Sequence, residues 1–370
     1  MRFPLSAPFT LLGALAATIL SPGALADTII KVDGSQELNC TVVSESLTEV
    51  VYKQEGRNAK RKLAAGDVLR IEFSRFPDQV DRAEMAVIDD QIPDAVADLE
   101  EFVAGVVESG KPHRKHPWSG PYAMARLVEL NTTMGRWEEV VQAADTLLST
   151  ASDSRYVSAA FLAKAEALGQ LDKGKDAAKT LEDFLELIRA RGLSDGLRLE
   201  CQLAQIVLDP ELKGRKKRDR LAALSGEAGS SYPVVRNRAD VAEAESHLES
   251  KAYGDAEELF ERVISDPKAD ARTLAGAYAG LGDCLFQRSG KESAGNKDKI
   301  MHRALLAYLR VVVVYRDQTR YVPRAMFFAG RVFDQFEDDA SKEHAQKMYR
   351  AVRRTYPGSK WAEEARGFKR

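Results

Sequence analysis

A small residue returns at nearly constant intervals along most of this chain. The position is occupied by Val128, Ala165, Ala204, Ala244, Gly282 and Gly330, at steps of 37, 39, 40, 38 and 48 residues. Around each one, apolar residues fall at i, i+3, i+4 and i+7, the period of an amphipathic helix. A second helical segment follows, carrying a small and a large residue: Ala177 and Leu181, Ala256 and Phe260, Ala304 and Tyr308, Ala345 and Tyr349. Two antiparallel helices approach closely only where one offers Gly or Ala and the other fills the gap. Residues 77–370 are therefore expected to fold as six or seven successive helix pairs. Ala83 with Ala95 and Leu99 reads as the earliest pair, and residues 214–225 are the poorest match. The 48-residue step holds the polar stretch 288–299, read as an insertion between two helices.

Tyr278, Leu281, Gly282 and Leu285 have the spacing bulky-x2-Leu-Gly-x2-bulky, and Met326, Ala329, Gly330 and Phe333 follow the same template. On these residues the chain resembles the tetratricopeptide-repeat (TPR) family over about residues 77–370. Its C-terminal units, ending in Tyr356 and Pro357 and then Trp361 and Ala365, are similar to those of bacterial envelope proteins of the outer-membrane assembly factor and Tol–Pal coordinator type. The resemblance implies an α-α superhelical, TPR-like solenoid whose first helices line a concave groove that grips an extended peptide.

Residues 27–76 have a different period. Alternating, β-branched runs at 28–32, 38–43, 49–53 and 68–73, with a further short strand through 59–63, are separated by turn residues such as Gly34, Gly56 and Gly66. Four or five short strands in about 50 residues can bury one face only by curling into a small barrel. A small all-β barrel of the SH3/Sm-like kind is expected here, as a capping, docking or binding module.

Residues 1–26 read as an export signal. Arg2 precedes an apolar run from Phe9 to Leu20, then Pro22 and Gly23, then Ala24 and Ala26 in the small-x-small pattern of a signal peptidase site. The run is too short to span a bilayer as a helix. No cysteine stands at the cleavage point to carry a lipid. The expectation is an exported protein, periplasmic or envelope-associated, with no transmembrane span.

The chemistry of the side chains points away from catalysis. The 54 Lys+Arg and 56 Asp+Glu leave a charge of -2, which argues against a nucleic-acid-coating role. The three cysteines, Cys40, Cys201 and Cys284, are too few for a disulfide framework, and Cys201 and Cys284 fall on apolar helix stripes. Gly169 to Asp176 approaches a phosphate-binding loop, but Asp176 replaces the Ser/Thr that such a loop uses for Mg2+. His113 and His116 sit between Pro112 and Pro117 without a third ligand. Neither a metal nor a cofactor is expected. The basic run 213–220 is open to two readings, contact with an anionic partner or a solvated face.

Offsets from the small residue place Tyr122, Glu129, Arg198, Arg238, Glu245, Asp283, Arg324, Phe327 and Arg331 in the groove. The functional expectation is a non-enzymatic scaffold or adaptor, whose groove takes an acidic or carboxylate-ended segment of an envelope protein. The alternative is a structural component of an envelope assembly that docks through the β-module or the convex face. Oligomeric state stays open.

Overall fold

Five strands come first among the described residues: β1 (Asp27–Lys31), β2 (Gln36–Glu45), β3 (Glu49–Gln54), β4 (Lys60–Ala64) and β5 (Val68–Glu72). The structure is a computed structural model, and it describes residues 26–32, 34–89, 91–290, 292–336 and 338–368. The expected leader therefore lies outside the described residues, apart from Ala26.

The strands form one antiparallel sheet in the order β4-β3-β2-β1-β5. It is open, with β4 and β5 at its edges, so the expected closed barrel is not formed. The reason lies in what covers its apolar face. Ile29, Val42, Val50, Tyr52, Val68, Ile71 and Phe73 pack against Trp118, with Phe76 and Tyr122 beside them. Phe73 stacks on Trp118 at 3.4 Å between ring centroids. A face already covered by a helix gains nothing by curling on itself.

The rest is helical: α1 (Asp78–Ile88), α2 (Ile92–Ser109), α3 (Ser119–Met134), α4 (Trp137–Thr150), α5 (Val157–Gln170), α6 (Gly174–Arg191), α7 (Asp195–Leu208), α8 (Gly214–Ala228), α9 (Pro233–Glu249), α10 (Tyr253–Ile264), α11 (Ala271–Ser289), α12 (Ala294–Val314), α13 (Val322–Phe333), α14 (Asp339–Thr355) and α15 (Lys360–Arg366). Local chemistry sets many of the ends. Ser194, Asp270, Asp338 and Ser359 each accept a hydrogen bond from a first-turn amide as N-caps. Gly110, Gly135 and Gly192 close α2, α3 and α6 in the left-handed conformation. The polar stretch 288–299 is mostly helix rather than loop, because α11 runs to Ser289 and α12 begins at Ala294.

Consecutive helices pack against one another from α1 to α15. Alternate helices also touch, α3 with α5, then α7, α9, α11, α13 and α15 in turn. The small-against-large rule is visible atom by atom. A Cβ on Gly282 would lie 2.5 Å from Tyr308, and one on Gly330 would lie 2.7 Å from Tyr349. Tyr308 and Tyr349 are fully buried, as are Phe260 and Phe184. Each phenol is also satisfied, Tyr308 donating to Asp283 at 2.6 Å and Tyr349 to Asp334 at 2.7 Å. The three thiols are free and buried, and burial pushes Cys40 up to about 11 and Cys201 and Cys284 up to about 12.

Candidate functional site

The wall formed by the alternate helices α3 to α13 carries most of the residues that the offsets single out. Its cations are already occupied. Arg238 on α9 donates to Glu200 of α7 and to Asp270, the N-cap of α11, each at 2.6 Å. Arg324 on α13 donates to Asp283 of α11 and lies 3.5 Å from Glu245 of α9. Burial weakens the Arg324 guanidinium's hold on its proton, but Asp283 and Glu245 more than offset this. Both arginines follow one design: each meets two carboxylates supplied by other members of the row.

A third triad has the opposite composition. Glu166 of α5 accepts from Arg320 at 2.5 Å and lies 3.6 Å from Arg272 of α11. It joins α5 to elements far along the chain. The same region is closed by the backbone, since a Cβ on Gly135 would lie 3.0 Å from the carbonyl oxygen of Gly358. Thr133 and Thr319 share a hydroxyl hydrogen bond of 3.1 Å beside it. The end of α3 thus meets the corners that precede α13 and α15.

The remaining expected residues are distributed. Tyr122 donates to Glu84 of α1 at 2.8 Å, and its ring joins Phe73, Phe76 and Trp118 under the sheet. Burial, then the Glu84 carboxylate, pushes its hydroxyl far up. Glu129 pairs with Arg126 at 2.7 Å. Arg198 bonds Asp195, Gln202 and Glu227 at the rim between α7 and α8. Phe327 is 2% exposed, packed against Tyr349, Trp361 and Phe368, and so belongs to the core. Arg331 lies over the rings of Phe286, Phe327 and Phe368. Of the nine residues, Glu245, Asp283 and Arg324 form one cluster, and Phe327 and Arg331 another.

Glu166 was absent from that set although a signal for it exists. It directly follows Ala165, as Glu129 follows Val128, Glu245 follows Ala244 and Asp283 follows Gly282. Arg272 and Arg320 carry no such mark, since they lie at a first turn and in a corner outside the repeat offsets.

Other features lie off this wall. A cleft of about 500 Å³ opens between α6, α7 and α8, with Gln202, Gln205 and Ile206 among its lining residues and Glu182, Arg220 and Glu227 beside them. It coincides with the segment that matches the repeat least well. The basic run forms the first turns of α8, and Lys213, Arg215, Lys216 and Arg220 are exposed. Among the described residues no group of three or more His, Cys, Asp or Glu side chains could hold a metal ion. No described helix is long and apolar enough to cross a membrane. No family model matches this chain, and a search of curated proteins returns no match to it.

Proposed function

We propose that the protein is an exported, non-enzymatic docking scaffold: a TPR-like solenoid whose inner wall is held by its own ion pairs and whose partner segment seats on its outer helices. The order of helix contacts supports the solenoid, each helix meeting its neighbour and each alternate helix meeting the next. One observation carries the functional reading. Arg238 and Arg324, the cations best placed to grip an acidic peptide, each already hold two carboxylates of this chain. A carboxylate from outside would have to displace a partner already positioned there, and would gain little by doing so.

Helix α12 offers the contrast. Leu306, Val313 and Val314 are 68%, 69% and 61% exposed along this longest of the described helices. Arg310, donating to the Tyr278 hydroxyl at 3.0 Å, stands between them, and Arg316, 3.8 Å from the exposed Asp317, lies just beyond; both are exposed and neither is held by a buried carboxylate. Apolar side chains flanked by cations fit a segment of an envelope protein that interleaves apolar and acidic residues. Photo-crosslinking residues placed at Leu306 and, separately, at Glu129 of the inner wall test this in intact cells. The expected result is an adduct from position 306 that disappears with Val313→Glu. Adducts from position 129 alone, unaffected by Val313→Glu, would return binding to the groove.

A further inference from the structure

The junction between the sheet and the helices contains a carboxyl group with no partner. The turn between β2 and β3 reaches into the helical layer: Leu47 is 6% exposed and packs with Val80, Ala83 and Leu99. Its amide donates to the carbonyl of Asp153, in the corner between α4 and α5, at 2.5 Å. From the same corner Arg155 donates to the Val68 carbonyl on β5 at 3.1 Å. Two residues before Leu47, at the end of β2, stands Glu45. Both of its carboxylate oxygens are shut off from water, and neither reaches a hydrogen-bond donor.

The surrounding charges do not relieve it. Arg155, the cation whose field Glu45 feels, donates through Nη2 to backbone carbonyls of β5 and lies over the Tyr156 ring. Asp153 pairs with Arg191 of α6 at 3.3 Å, and Glu49 of β3 with Lys62 of β4 at 3.0 Å. Tyr156, itself buried, contributes only a neutral phenol near neutral pH. A buried polar group without a partner is costly when neutral and far more so when charged.

We propose that Glu45 is a proton-operated latch that seats the β2–β3 turn on the helices when protonated and loosens it when ionised. Burial, only partly countered by Arg155, pushes the carboxyl up to about 7. When the turn lifts away, the group regains water and an ordinary carboxylate value near 4.5. The seated form therefore holds the proton more tightly. Its advantage is complete below about pH 4.5, falls about tenfold per pH unit between there and about pH 7, and then levels off.

Amide hydrogen exchange of the full chain reads this directly. The observable is the protection of the Leu47 amide, corrected for the intrinsic pH dependence of exchange, from pH 5 to pH 8.5. The expected result is a fall of about fortyfold between pH 5 and pH 7 and about twofold more beyond, with protection in α11 to α14 constant. In Glu45→Gln and in the apolar Glu45→Met, protection should be independent of pH. A flat profile in the unmodified protein, or the same fall in either variant, would overturn the proposal. The nearby His116 is distinguished by sign. Burial lowers its affinity for a proton, so its titration would make protection rise with pH, and a rising profile would assign the junction to His116 instead.

Discussion

The Arg324–Asp283 cluster between α11 and α13 and the junction beneath the sheet both bury charge, and they handle it in opposite ways. In the first, Arg324 meets Asp283 and Glu245, and Asp283 also accepts from the buried Tyr308. In the second, Glu45 has two occluded oxygens and no donor. Satisfied burial fixes one arrangement of helices, because every alternative strands a charge. Unsatisfied burial leaves a joint whose stability depends on a proton. The comparison separates a rigid part of the molecule from an adjustable one.

The largest effect should come from breaking the satisfied cluster. Arg324→Ala leaves the buried Asp283 without its cation and should cost about 3–5 kcal/mol in chemical denaturation. A loss below about 1 kcal/mol would show that the triad is solvated. Next comes Gly282→Val, which drives a branched side chain into Tyr308, a ring with no exposed side to move toward. Overpacking of this kind should cost about 3 kcal/mol, and thermal unfolding followed at a helix signal would report it.

At the junction the sign reverses. Glu45→Gln should stabilise the protein by about 2 kcal/mol at pH 8, where the native side chain is ionised, and should change little at pH 4.5, where folded and unfolded forms both carry much of the proton. Equal effects at the two pH values would make Glu45 an ordinary packing residue. The smallest effect belongs to the rim. Arg198 shares its donors among Asp195, Gln202 and Glu227 with exposed partners, so Arg198→Ala should cost no more than about 1 kcal/mol, and less in high salt.

The helix pairs were legible because the signal is local and repeated. A 3.6-residue period and a small residue opposite a large one specify which faces meet, and Gly282 against Tyr308 and Gly330 against Tyr349 are those meetings. The strands were legible for the same reason, since β-branched alternation and turn residues are read within a few positions. The charged wall was only half legible. Offsets from the small residue led to Arg238, Arg324, Glu245 and Asp283 as a surface facing outward to a ligand. Their mutual pairing depends on how far each helix is rotated and shifted against the next. The cleft beside α7 and the exposed stripe on α12 depend on packing in the same way.

The amino-acid order alone determined the element types, the place where strands give way to helices, and the small-to-large contacts, because each is a property of a few neighbouring residues. Tertiary structure decided three further matters. The sheet stays open because Trp118 and Tyr122 cover it from the start of α3 and the residue before it, beyond the strands themselves. Arg238 and Arg324 face carboxylates of this chain because side chains remote in sequence become neighbours when the helices pack. Glu45 has no donor at the junction, where Arg155 donates instead to the backbone of β5. Periodicity conveys which face of an element is buried; only assembly in three dimensions conveys what that face is buried against.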